Sequence, residues 1–430
     1  MKRDPSESVI RLMTRLAIHH GAINLAQGFT DEAPSYDLVW PAIKAMLGGT
    51  DEAFERLESL TLREVVEEHG GPLETVLGMP LRDALSGLQS DRDRFNQYSF
   101  PFGLPELRRA VSDYTRRFYG FGADPETEIT IVLGATEGLS SVLRATCRPD
   151  DGIVIFQPFH EMYPAQCDLF GLKPQYVTLR EDRSRGTWDM DPDELKRTVD
   201  GTTRAIILNT PHNPTDKVFA RDDLEFLARL CIDHDLIAIT DEIYEHIVYD
   251  GHRHRFLAGL DGMKERTFVI NSISKTGRAT GWRVGGVLSP ASYTTPIRGV
   301  HDTFVIQAPT PLQRGAIDLL GMDDDFFSGV GDSHYRKRDA LVAGLREAGF
   351  RVTPPEGSYY LFADYREVPG IRDMAPTDAA MHLIEKVGVA SVPGDNFYRE
   401  GDEGNNYLRF AFCRSMESLE EGVRRFRVRL

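Results

Sequence analysis

The sequence predicts an α/β protein with a mainly parallel sheet, followed by a separate α+β layer. Three observations predict it. Five apolar runs, EITIVLG (128–134), GIVIF (152–156), TRAIILNT (203–210), LIAITDE (236–242) and TFVINSIS (267–274), are continuous rather than alternating, as in strands buried on both faces. Helical stretches separate these runs, which is the order of βαβ units. After about residue 300 the pattern shifts to helix and short strand runs, as in an α+β layer.

Taken in order, Val9, Ile10, Met13, Leu16 and Ala17 fall at helical spacing, so residues 5–20 read as an amphipathic helix. An extended stretch, AINLAQGF, follows at 22–29. Residues 48–93 differ: they open with GGTDEAF, include GGPLETVLGMP and close with DRDR, with helical pieces such as FERLESLTLREVVEEH between the glycines. A lid, an interface arm or an appended helical layer all fit this segment. The α/β pattern starts near 96, and a helix follows the first apolar run from about 136. Beyond 300, a helical region at 334–348 leads to FRVTPPEGSYYLFADY, which reads as two strands around a Pro/Gly turn. A helix at 377–387 and strand-like runs near GVASVPG and NNYLRFAFC complete the chain.

Composition narrows the function. The 430 residues carry 50 Lys and Arg against 66 Asp and Glu, a formal charge of −16, with 41% hydrophobic and 27% charged residues. That is globular composition, and the length suits a large α/β unit with a smaller companion. The acidic balance argues against a nucleic-acid surface and against binding to anionic membranes. No apolar run reaches the roughly 18 residues of a membrane-spanning helix, and the first twenty residues lack a secretory apolar core. Cys147, Cys167, Cys231 and Cys413 lie far apart with no CxxC pair, which excludes a disulfide framework and fits a reducing cytoplasm. HRHRF (252–256) and the His19–His20 pair have no acid or thiol ligands at metal spacing. GVGD (329–332) follows no strand, and DDD (323–325) reads as a solvated helix start.

Ligands of open α/β sheets gather at the carboxyl ends of strands, so the residues after each run matter most. GATEG (134–138) opens a helix with small residues, whose free N–H groups suit a phosphate. TPHNPT (210–215) holds Asn213 between two prolines. Asp241 closes a buried strand, where a carboxylate is costly unless an Arg or a protonated ring nitrogen pairs with it; Tyr244 follows three residues later. Lys275 is one of only 9 Lys against 41 Arg, and it sits just past an apolar strand, after Ser272 and Ser274 and before Arg283. A desolvated Lys is a nucleophile toward carbonyls. Each feature alone has a plain structural explanation: an empty turn, a rigid loop, a salt bridge, a surface amine. Together they are the parts that hold pyridoxal 5'-phosphate.

With these motifs in hand, the sequence resembles the fold-type I pyridoxal-phosphate aminotransferases of class I/II, in particular the kynurenine/glutamine/methionine aminotransferase group, which includes cysteine-conjugate β-lyases. INLAQGF, NQYSFPFGLPELRRAV, GATEGL, NTPHNPT, DEIYEH, SISKTGRATGWRVG, GSYYLFADY and YLRFAF occur in that family's order, from about residue 9 to the C-terminus. The resemblance implies a large domain, residues 46–300, with a mostly parallel seven-stranded sheet sandwiched by helices and with 48–93 as an extra piece. It implies a small α+β domain, residues 301–430, joined by the N-terminal segment 1–45, and a homodimer with shared active sites. It further implies that Lys275 forms the internal aldimine and then shuttles the substrate proton. Asp241 would hold the pyridinium proton, Asn213 and Tyr244 the ring's phenolic oxygen, and Ala135, Thr136, Ser272 and Arg283 the phosphate. Tyr98 would reach the phosphate of the neighbouring subunit. Arg409 would bind the substrate carboxylate, with Asn213 and Ala26 beside it.

Several positions depart from the family pattern. His160 stands where an aromatic ring usually stacks on the cofactor, or Phe159 does if the register slips by one. Asp216 stands where Gly is usual, Gly277 and Arg278 replace an aromatic and a small or polar residue, and Ala26 replaces a Gly. Gly277 and the 48–93 segment favour a bulky or unusual substrate. The expected activity is transamination between an α-amino acid and a keto acid, through quinonoid and ketimine states. Elimination of a thiolate from Cβ and decarboxylation with oxidative deamination are alternatives on the same cofactor. A ligand sensor on this fold would usually carry an attached DNA-binding domain, and no helix-turn-helix extension or basic arm is present.

Overall fold

A computed structural model describes residues 8–48, 50–68, 95–399 and 401–430, with 72, 74, 75, 78–80 and 83 in between. Residues 5–7 of the expected first helix, residues 70, 71, 73, 76 and 77 of GGPLETVLGMP, and DRDR lie outside the described residues. The first helix is Val9–His20. Ser8 caps its start by accepting from the Arg11 amide, and Gly21 ends it in the left-handed region at φ 59°. Its apolar face, Ile10, Leu12, Met13, Leu16 and Ala17, is buried. The chain then enters β1 (Ile23–Asn24).

The large sheet has eight strands: β2 (Ile129–Val132), β3 (Gly152–Gln157), β4 (Lys173–Asp182), β5 (Thr187–Met190), β6 (Thr203–Asn209), β7 (Ile237–Asp241), β8 (Thr267–Ser272) and β9 (Gly285–Leu288). Their order is β2-β9-β8-β7-β6-β3-β4-β5. The pairs β3/β4, β3/β6, β6/β7 and β7/β8 are parallel, β9 is antiparallel to both neighbours, and β5 is antiparallel to β4. The count exceeds the expected seven by one, because β5 folds back on β4 as a hairpin arm after the Gly186 turn (φ 67°). Alternate residues of the central strands feed two cores: Val154, Ile206 and Ala238 join one, and Ile153, Ile155, Ile207 and Ile239 the other. This is the physical reason the strands read as unbroken apolar runs.

Chain order reverses between β3 and β6. From β3 the chain moves outward to β4, and from β6 it moves the other way to β7 and β8. A crevice opens at the carboxyl ends of strands around such a switch point.

The C-terminal layer holds β10 (Tyr360–Asp364), β11 (Val389–Ala390), β12 (Val392–Pro393) and β13 (Tyr407–Ala411). β13 lies between β10 and β12, antiparallel to both, and β1 pairs in parallel with β11. Of the two strands expected in FRVTPPEGSYYLFADY only β10 forms; Arg351 makes an isolated bridge to Asp364. The expected 334–348 helix is the second half of Asp324–Glu347, which Asp323 caps by accepting from the Phe326 amide at 2.9 Å. The 377–387 helix is Pro376–His382, continuing as a wider π turn through Leu383–Val387. In the extra segment, FERLESLTLREVVEE falls largely on two helices, Asp51–Ser59 and Leu62–Glu68, and His69 lies outside the described residues. The helix Tyr36–Gly48 packs against Thr310–Leu320. Among the described residues no helix is long and apolar enough to cross a membrane.

Candidate active site

A cavity of about 970 Å³ opens at the carboxyl ends of β3, β6, β7 and β8. Its walls include Ala135, Thr136, His160, Asn213, Asp241, Tyr244, Ser272, Lys275, Arg283 and Arg409. These come from widely separated parts of the chain, and strand ends place most of them.

Asp241 is the last residue of β7 and is buried. Its Oδ2 accepts from the Tyr163 hydroxyl at 2.7 Å, whereas Oδ1 is buried with no hydrogen-bond partner among the described residues. Burial pushes this carboxyl up to about 6, against the pull of the Tyr163 hydrogen bond. A protonated ring nitrogen at Oδ1 would meet the unmet acceptor and keep the acid ionised.

Asn209 ends β6 and braces the next turn. Its Oδ1 accepts from the Asn213 amide at 2.7 Å, and its Nδ2 donates to the Asp241 carbonyl at 2.9 Å. Asn213 then accepts at Oδ1 from Arg409 Nη1 at 2.8 Å. Arg409, on β13, is 1% exposed, and its Nη2 donates to the Ala26 carbonyl at 2.8 Å. Its guanidinium lies 4.3 Å from the Tyr360 ring centre, and its Nε is buried without a partner among the described residues. No carboxylate pairs with Arg409 among the described residues. A buried guanidinium without an acid is costly, and a ligand carboxylate would meet that demand.

Lys275 sits in a short turn of helix, Ile273–Thr276, which Ser272 caps by accepting from the Ser274 amide at 3.2 Å. Its Nζ donates to the Gly28 carbonyl at 3.2 Å and has no carboxylate partner among the described residues. Burial pulls the amine down to about 8, so a substantial neutral fraction exists near neutral pH. The Tyr244 hydroxyl, beside it, is 3.1 Å from the Tyr360 hydroxyl.

An anion cup lies at the other end. Gly134, at φ 77°, precedes the helix Ala135–Thr146, whose first two residues line the cavity. A Cβ on Gly134 would lie 2.4 Å from Arg283 Nη2, so only glycine lets the guanidinium seat against this turn. Arg283 is steadied by Nη1 donating to the Thr280 carbonyl at 3.0 Å. A helix start beside a cation suits a phosphate.

The model of aminotransferase class I and II matches residues 75–426. The chain is 33% identical to the probable N-succinyldiaminopimelate aminotransferase DapC of Mycobacterium tuberculosis, covering 99% of this chain and 97% of that protein. It is 32% identical to human kynurenine–oxoglutarate transaminase 1, over 78% and 86% of the two chains. Among solved structures, the M. tuberculosis N-succinyldiaminopimelate aminotransferase superposes with a TM-score of 0.84 at 32% identity, over 98% and 96% of the chains. YbdL of Escherichia coli, described as having a methionine aminotransferase function, does so at 0.81 and 26%, over 99% of each.

The chain belongs to the aminotransferase class I and II family. It is thus an enzyme of the pyridoxal-phosphate-dependent aminotransferases, which act on amino acids and keto acids. The cavity fits the cofactor: among the described residues, a carboxylate oxygen without a hydrogen bond, a lysine without a salt bridge and an arginine-backed helix start share one space.

Some expected residues stand elsewhere. His160 lines the cavity, whereas Phe159 is fully buried against Tyr176, ring centres 5.6 Å apart. Burial, with Arg409 and Lys275 nearby, pulls the His160 imidazole down to about 3, so it is neutral. Ala26 does not line the cavity and serves through its carbonyl on Arg409. Tyr98 is 79% exposed and does not line this chain's cavity. Gly277 does not open space beside the cofactor. A Cβ there would lie 2.9 Å from the Ile273 carbonyl, 3.0 Å from Leu319 and 3.2 Å from Leu38, so it is a close-packing glycine between helices. Arg278 pairs with Glu32 at 3.2 Å, outside the cavity wall. Sequence reading missed Tyr163, Asn209 and Tyr360. A polar residue closing an apolar run was a usable signal only for Asn209.

Proposed function

We propose that the chain moves the amino group of a long-side-chain α-amino acid to a keto acid, with Lys275 as the catalytic residue. Bound pyridoxal phosphate supplies an electrophilic aldehyde carbon and a ring that takes up the electron pair left at the substrate's α-carbon. Lys275 provides the neutral amine for that carbon and, once displaced by substrate, carries the proton from the α-carbon. Asp241 holds the ring-nitrogen proton at its unpaired oxygen. Asn213 and Tyr244 would hydrogen-bond the ring oxygen, and His160 would offer the ring a neutral, flat neighbour. Ala135, Thr136, Ser272 and Arg283 take the phosphate, and Arg409 takes the substrate α-carboxylate. Tyr98, exposed here, serves the site of a second copy in a homodimer. Residues 46–300 act as the large domain, and 1–45 with 301–430 as the small one. The four free, buried cysteines suit a cytoplasmic enzyme.

The observation that carries this reading is that Asp241 Oδ1 and the Arg409 guanidinium are buried in one cavity with Lys275, and that among the described residues the first has no hydrogen bond and the other two have no salt bridge. A long side chain is supported by the extent of the cavity, which is about 970 Å³, opens to solvent and runs beyond the residues assigned to the cofactor and the α-carboxylate. The wall continues to Arg11, Thr377, Asn396 and Arg399, a polar lining for a long side chain.

The test is a single-turnover panel without acceptor, using N-succinyldiaminopimelate, kynurenine, methionine and cysteine S-conjugates. Conversion of the cofactor to its amine form, with one equivalent of keto acid, is expected for a long-chain substrate. Release of thiol and pyruvate without the amine form would replace transamination by elimination.

A further inference from the structure

Resting on the assignment of Arg409 to the substrate carboxylate, we propose that Asp216 is a positioning residue: a clasp that seats Tyr360 beneath Arg409 and so sets the affinity for the amino acid. Asp216 is 2% exposed and does not line the cavity. It lies in the loop after β6, three residues beyond Asn213, at φ 63°. That backbone region suits glycine and is tolerated by Asp and Asn at a cost.

The side chain makes use of that conformation. Asp216 Oδ1 accepts from the Ser358 hydroxyl and from the Tyr360 amide, the latter at 3.1 Å. The Asp216 carbonyl accepts from the Gly357 amide at 2.9 Å, and its own amide donates to the His212 carbonyl at 2.9 Å. Ser358 is also in the left-handed region, at φ 56°, and is fully buried. Two strained residues from distant parts of the chain are therefore joined face to face. Strain of this kind persists where surrounding contacts over-determine it.

The segment so fastened leads directly into β10, whose first residue is Tyr360. That ring is confined on three sides. It lies 4.3 Å from the Arg409 guanidinium, its hydroxyl is 3.1 Å from that of Tyr244, and a Cβ on Gly28 would fall 2.0 Å from it. Glycine at 216 would relieve the backbone but leave the Tyr360 amide and the Ser358 hydroxyl buried without this acceptor. The ring could then shift, and Arg409 would lose its platform. Asparagine keeps both the acceptor oxygen and the tolerance for this backbone.

The experiment compares D216G and D216N in the cofactor-loaded enzyme by steady-state kinetics, cofactor absorption and Tm. D216G is expected to raise KM for the amino acid about tenfold with kcat changed less, and to keep the cofactor band. D216N is expected to stay within about twofold of the parent. Parent-like KM in D216G, or equal damage in both variants, overturns the clasp. If D216G gives no folded protein, S358A decides: a KM raised a few-fold supports the clasp, and an unchanged KM overturns it. A parent enzyme without a cofactor band or transamination would instead overturn the underlying functional reading.

Discussion

The two ends of the cavity are built by different means. At the cofactor end, Asp241, Ser272 and Asn209 are the last residues of parallel strands, and the sheet's hydrogen bonds fix their directions. At the substrate end, Arg11 and Arg399 stand on a helix start and a loop, and both are exposed. Between them, Arg409 projects from a short strand and is braced by side chains and a loop carbonyl. The difference teaches where tolerance lies: groups fixed by the sheet cannot adjust to a change in charge, whereas loop groups can, so losses should fall steadily from one end to the other.

Lys275→Ala should show the largest effect, a loss of about 10³-fold or more in kcat with the amine-linked cofactor band absent. A variant retaining a tenth of the activity would remove the contrast altogether. Asp241→Ala should follow, with kcat down on the order of 10²-fold, since the ring-nitrogen proton loses its buried counter-charge. Arg409→Gln should raise KM by roughly 10²-fold while leaving the cofactor band in place. His160→Phe keeps a flat ring and should change kcat by less than about tenfold. Arg399→Ala should show the smallest effect, about two- to fivefold in KM, because an exposed charge is well screened. If Arg399→Ala exceeded Arg409→Gln, the ranking of the two ends would be reversed.

The same contrast has a pH signature. The Lys275 amine is lowered to about 8, so its neutral, nucleophilic fraction grows as pH rises through that value. The rate at which stripped protein recaptures the aldehyde should therefore climb from pH 6 through 8 and level off about one pH unit higher, as followed by absorbance. A flat profile would mean that the amine is not the titrating group.

The cofactor end was legible in the sequence because its residues terminate apolar runs, and a polar group closing a strand is visible without a structure. Asp241 closes such a run, and Lys275 and Asn213 follow the ends of two others within a few residues. Two strands were less visible: GGVL at β9 carries two glycines, and KPQYVTLRED at β4 is half-exposed and mixed in polarity. Gly277 was misread because its neighbours Leu38 and Leu319 come from distant helices, which no local pattern reveals. His160 against Phe159 turned on a single position at the end of β3, where the chain turns and alternation no longer says which side faces inward. Tyr163 and Tyr360 gave no local signal, since their roles are made entirely by contacts across the fold.

The pairing of β1 with β11 has a consequence for synthesis. Residues 23 and 24 hydrogen-bond beside residues 389 and 390, and Arg425, near the last residue, donates to the carbonyls of Gly21 and Gly388. A nascent chain leaves the ribosome from its N-terminus, so the segment that carries Gly28 against Lys275 waits until residues 389 and 390 have been made before it can dock. Loss of the segment that carries residues 389, 390 and Arg425 would thus loosen a wall of the active site formed far earlier in the chain.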